Sequence, residues 1–138
     1  MLRFIMGVVA ISLLLWGGTP YAHGQKTTEM FIPIGQSPGQ SGRVTIVGTI
    51  ETVDASNRTI VVSGESGQWN AQVTERTHIW LDRSKLGLPN QYGKFTDLQQ
   101  GRLVEVKYVG GERRNEGPAE WIKVEVTRPS AKLDNTRQ

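Results

Sequence analysis

The 138-residue chain contains no cysteine. That excludes a disulfide framework, a thiol nucleophile, a thiolate metal site and a lipid anchor on an N-terminal cysteine. Histidine is nearly missing, with only His23 and His78, so a His-based metal site or a Ser-His-Asp arrangement would depend on very few residues. An excess of one charge sign is also lacking. The 16 basic and 13 acidic groups are interspersed, and Arg83/Lys85 and Arg113/Arg114 are the only tight basic clusters. A nucleic-acid footprint would be more lopsided. The segment Gly35-Gln36-Ser37-Pro38-Gly39-Gln40-Ser41-Gly42 is rich in glycine but lacks the lysine and the following helix of a phosphate loop. Glu105, Glu120 and Glu125 lie near Arg102, Lys107 and Lys123, a pattern that reads as weak cross-strand ion pairs rather than a converging acid–base pair. The inventory therefore points away from an enzyme and implies no cofactor and no bound metal.

What is present begins with a three-part N-terminus. Arg3 supplies a positive start, Phe4 to Trp16 an apolar run, and Gly17, Gly18 and Pro20 a break before Ala22-His23-Gly24. This is the layout of a secretory signal peptide over 1–24, cleaved before Gln25. The run is shorter than the roughly 20 apolar residues of a bilayer span, so the expected mature chain is periplasmic or secreted, with no integral membrane span. About 110 residues then remain, enough for one domain.

Residues 25–42 form a Pro/Gly-rich stretch, read as an extended arm, with one apolar knot at Met30-Phe31-Ile32-Pro33-Ile34. From Arg43 the pattern has a period of two. Val44, Ile46, Gly48 and Ile50 share one face of a long strand, and Gly48 is the expected bulge or bend. Thr59 to Ser63 returns from the turn at Asp54 to Arg58. Trp69, Ala71 and Val73 then alternate along a third strand, completing a meander. Thr77 to Leu81 extends or follows it. Between Asp82 and Gly101 the alternation lapses, with room for helical turns at Ser84 to Leu88 and after Thr96. Two strands close the domain, one with Val104, Val106 and Tyr108 inward and one with Ile122, Val124 and Val126 inward. A charged loop from Gly110 to Gly117 separates them. Residues 128–138 are a polar tail. The resulting fold class is all-β: a 43–127 domain forming a small five- or six-stranded OB-like Greek-key barrel with a short helical connection. An open SH3-like barrel is the alternative.

The succession Gly48-Thr49-Ile50-Glu51-Thr52-Val53-Asp54, Thr59-Ile60-Val61-Val62, Thr77-His78-Ile79, Asp97-Leu98-Gln99-Gln100-Gly101-Arg102-Leu103-Val104-Glu105-Val106 and Ala119-Glu120-Trp121-Ile122 resembles a group of small exported bacterial OB-fold-like domains of unknown function. The resemblance implies the barrel and export, and no activity. Periplasmic copper chaperones have a similar small barrel and hold Cu(I) through His, Met and a neighbouring Trp. Here His78 and Trp80 are close in sequence, but Met30 in the arm is the only methionine after the signal. Soft Cu(I) needs more thioether than that.

Aromatic placement gives the one suggestive signal. With Ile79 and Leu81 inward, Trp80 points out, and with Ile122 and Val124 inward, Trp121 does the same. Outward tryptophans mark a covered or binding surface. Two readings follow. In the first the chain is a non-catalytic exported module, its barrel and arm contacting an envelope or secreted protein partner, with Phe31, Ile32 and Ile34 as the arm's contribution. In the alternative, Trp80, Trp121 and Tyr92 with Arg83 or Lys85 hold an oligosaccharide or an anionic small ligand.

Overall fold

The structure, a computed structural model, describes residues 28–128. The proposed signal peptide at 1–24 and all of the polar tail beyond 128 lie outside the described residues. β-branched residues alternating with polar ones set up seven strands: β1 (Thr45–Asp54), β2 (Thr59–Gly64), β3 (Gly67–Gln72), β4 (His78–Asp82), β5 (Gln91–Tyr92), β6 (Leu103–Tyr108) and β7 (Glu116–Glu125). Single 3-10 turns at Ser84–Leu86 and Phe95–Asp97 are the helical part of the connection.

β1, β2 and β3 form an antiparallel meander. β6 pairs with the first half of β1, from Thr45↔Lys107 to Thr49↔Leu103, and β7 pairs antiparallel with β6. The parallel pairing of β3 with the start of β7, from Asn70↔Glu116 to Gln72↔Pro118, closes the ring. The order β1-β2-β3-β7-β6 and back to β1 is that of a five-stranded OB-like barrel. β4 then runs parallel to β7 from His78↔Trp121 to Asp82↔Glu125, so β3 and β4 lie one after the other along the same side of β7. β5 adds only Trp80↔Tyr92 and Leu81↔Gln91 and forms the outer edge.

The interior holds the residues that the alternation assigned to it. Ile46, Ile50, Ile60, Val62, Ala71, Val104, Val106, Tyr108, Ile122 and Val124 are all buried in one cluster, and each large apolar side chain contributes about 1.5–3 kcal/mol by burial. Tyr108 brings a hydroxyl into this core and donates it to the Asn70 carbonyl at 2.9 Å. Burial pushes its phenol up to about 12. At the opposite end of β1, Asp54 caps the turn into β2: the Asn57 backbone N–H, then the Asn57 side chain, hold its carboxyl below the ordinary value.

Two local expectations are corrected. The bulge in β1 falls at Glu51, between Ile50 and Thr52, and not at Gly48. Gly48 serves close approach instead, since a Cβ there would stand 2.4 Å from the Ser63 carbonyl oxygen. The arm is a string of turns rather than an extended segment, with N–H groups of Phe31, Gln36 and Gln40 donating to the carbonyls of Thr28, Pro33 and Ser37 at 3.0–3.1 Å. Gly35, Gly39 and Gly42, at φ +80, +71 and +75, make the reversals.

Candidate binding surface beneath the arm

The outer face of β4, β7 and β6 is assembled by register. Trp80, Lys123 and Glu105 form one row across the three strands, and His78, Trp121 and Lys107 form the next. The arm lies over these rows. Met30 packs with Trp80 and Trp121 in a second apolar cluster, separate from the barrel core. The two indoles stack at 5.5 Å, and the His78 ring stacks on Trp80 at 5.9 Å.

Beside this cluster the arm is pinned by charge. Lys123 Nζ is 2.7 Å from Glu29 Oε1 and 3.3 Å from Ser37 Oγ, and it sits 4.8 Å from the Trp121 ring centroid. The Ser37 hydroxyl donates to the Glu29 carboxylate. Glu105 Oε2 accepts from the Gly35 N–H at 2.8 Å, while its Oε1 accepts from the hydroxyls of Ser41 at 2.6 Å and Thr45 at 2.8 Å. Asp82 takes the Ile34 N–H at 2.9 Å, and the Asn90 amide donates to the Met30 carbonyl at 3.0 Å. Glu105 and Lys123 have no exposed surface. Such groups are tolerated inside only when paired and hydrogen-bonded, which the arm accomplishes.

This overturns one sequence expectation: Glu105 and Lys123 are not solvated strand charges. Of the two surfaces the outward tryptophans allowed, covered or binding, the structure shows the covered one, with Trp80 and Trp121 only 4% and 3% exposed and Met30 packed on them. An oligosaccharide platform on those two rings is therefore closed. Of the other residues singled out, Ile32 and Ile34 are half-buried in the arm, whereas Phe31 and Tyr92 are 58% and 70% exposed. Arg83 donates from Nε to the Pro89 carbonyl at 2.7 Å within the loop, and Lys85 ties the loop to Glu125 at the end of β7 at 3.1 Å. Trp80 and Trp121 are brought together under Met30, and the Trp80↔Tyr92 pairing sets Tyr92 on the neighbouring strand, while Phe31 adjoins them only through its chain neighbour Met30. Arg83 and Lys85 stand beside them without a shared ligand geometry.

With this geometry in view, the comparisons add a likeness of fold. The chain is similar to CusF. A tryptophan-to-alanine variant of Escherichia coli CusF with Cu(II) is 14% identical, with 58% of this chain and 88% of that one covered and a TM-score of 0.40. The Ag(I) form of CusF is 14% identical over 58% and 93%, with a TM-score of 0.38. Apo-CusF from Escherichia coli is 14% identical over 64% and 94%, also at 0.38. No family model and no curated protein sequence matches the chain.

Glu29, Ser37, Asp82, Asn90, Glu105 and Lys123 were not legible as site residues. One signal was available: Trp121-Ile122-Lys123-Val124 alternates, yet its outward half carries a tryptophan beside a lysine and pairs with Trp80, an apolar face too large to leave in water. Chemically the face is a receptor for polypeptide. It offers an aromatic seat for a flexible thioether, a buried cation for a carboxylate, and two carboxylates for successive backbone N–H groups. Among the described residues no group of three or more His, Cys, Asp or Glu gathers as a metal site, and no helix is long and apolar enough to cross a membrane.

Proposed function

We propose that this chain is a non-catalytic exported binding module whose partner is another protein outside the cytoplasm, contacted along the seam between the arm and the β4–β5 loop. One observation carries the reading. Phe31, Leu88 and Tyr92, three large apolar side chains with 58%, 47% and 70% exposure, flank in sequence the hydrogen bond in which Asn90 holds the Met30 carbonyl. Among the described residues the other large aromatics are buried or half-buried, so an exposed apolar rim on the seam favours a protein contact, where exposed Phe and Tyr serve as anchors. The edge of β5 lies in the same place and adds unpaired backbone to the surface. Export rests on the signal-like N-terminus.

The test is site-specific photocrosslinking in the native cell envelope, with a benzophenone amino acid at Phe31, Tyr92 or, as control, the exposed Thr49 on β1. One defined heterologous adduct from positions 31 and 92, and none from 49, is expected. Equal adducts at all three positions, no adduct at any, or an adduct at twice the chain's own mass would each overturn the proposal.

A further inference from the structure

A second feature lies away from the seam, at the rim of the barrel where the arm enters β1. Gly42, Ile46 and Val47, the β2–β3 turn and the β6–β7 loop enclose a concavity of about 330 Å³ that Trp69 and Arg113 also line, a size at the lower end of small-ligand sites. The Trp69 indole Nε1 is shielded from solvent and has no acceptor among the described residues. A buried donor left in this state is rare and costly in a native fold. Gly64 stands beside it: a Cβ there would lie 3.6 Å from Nε1 and 3.1 Å from the Val47 carbonyl, so the glycine keeps the floor clear next to the indole nitrogen.

Arg113 supplies the charge. Its guanidinium lies 5.1 Å from the Trp69 ring centroid, and Nη1 reaches the Gly42 carbonyl at 3.4 Å, the long limit of a hydrogen bond. The side chain is exposed and keeps donors to spare. Its ties here are to the Trp69 ring and to the arm, so the guanidinium can turn toward an anion without disturbing the strand pairing. On the other wall the half-buried Val47 offers apolar surface, and Glu65 on the β2–β3 turn contributes an exposed carboxylate.

We propose that this concavity binds a small carboxylate-bearing molecule, of single-sugar or single-residue size, with its carboxylate held between Arg113 and the Trp69 N–H. An oxygen acceptor completes the indole, a guanidinium matches a carboxylate in a charge-assisted pair, and the compact body rests on Val47. Glu65 disfavours ligands of higher negative charge and accepts from a hydroxyl or amide on the same body. The carboxylate has two sources, an acidic sugar or the end of a peptide.

The test is an NMR titration of the purified chain, with the Trp69 indole resonance assigned by its loss in Trp69→Phe. The probes are galacturonate and N-acetylalanine, with glucose and N-acetylalanine amide as neutral counterparts. The Trp69 indole proton should move downfield with at least one carboxylate and with neither neutral probe, and which carboxylate acts identifies the source. Arg113→Gln should weaken that response about tenfold or more without moving the thermal midpoint or the Trp80 and Trp121 signals. An indole unmoved by both carboxylates, moved equally by a neutral counterpart, or indifferent to Arg113→Gln overturns the proposal. None of these outcomes bears on the seam.

Discussion

Glu105 and Lys123 stand directly opposite one another across β6 and β7, each without exposed surface, and each turns to the arm for its partners. Lys123 takes Glu29, and Glu105 takes the Gly35 N–H and the Ser41 hydroxyl. The pair thus acts as two anchor points of opposite sign for one passing segment, and that sets the sequence and register of what can lie there.

Removing one member of the buried ion pair should cost far more than removing both. Lys123→Met leaves the Glu29 carboxylate, only 11% exposed at its side chain, with Ser37 alone, and is expected to destabilise by about 3–5 kcal/mol. The double variant Glu29→Leu/Lys123→Met should return to within about 1 kcal/mol of the parent. Urea unfolding of the four proteins in the cycle measures this, and additive single effects would contradict it.

Glu105→Ala separates the two readings of that residue. As a solvated strand charge it would be worth under about 0.5 kcal/mol. With three donors converging on it from the arm and from Thr45, the loss should be at least about 2 kcal/mol. Glu105→Gln, which keeps one acceptor oxygen, should fall between the parent and the alanine variant in the same urea series.

Met30→Ala removes the side chain that packs on the stacked Trp80 and Trp121. The cost should be about 2–3 kcal/mol, with tryptophan emission shifted to the red as water reaches the stacked indoles. Ile122→Ala in the separate barrel core should cost about 2–4 kcal/mol and leave that emission unchanged. An emission shift in the second variant and none in the first would invert the assignment of the two clusters.

Tyr108 makes stability fall in alkali. Its phenol is raised from 10.0 to about 12 by burial, so the folded state favours the neutral form. That stabilisation is complete below pH 10 and is lost as the pH rises through about 12. Tyr108→Phe gives up the bond to the Asn70 carbonyl and should be about 1 kcal/mol less stable at neutral pH. Its decline between pH 10 and 12 should be shallower, as followed by thermal melts across that range.

The barrel was readable because a closed sheet imposes a period of two: Val104, Val106 and Tyr108, and Ile122 and Val124, could face only one way. The same pattern placed Trp80 and Trp121 outside. It could not say what covers the outside. Alternation reports the face a residue occupies and carries no information about a segment arriving from far along the chain, so Glu105 and Lys123 looked like surface charges. β5 escaped notice because two residues, Gln91 and Tyr92, are too few to show a period. Gly48 was recognised as special for the wrong reason, since a bulge and a close backbone approach both call for glycine. The Trp69 concavity depends on three distant turns meeting, which no local pattern records.

The arm's ties also set an order of events in time. Glu29 and Lys123 are separated by 94 positions and Gly35 and Glu105 by 70. Synthesis runs from the N-terminus, so the arm is made before the strands that receive it, and its resting place does not exist until β7 has joined the sheet. Contacts this remote form late and slowly. Met30 therefore spends the whole interval of chain growth without its seat, when an apolar segment is most open to a holding factor. The first described piece of the molecule to be made is the last to settle.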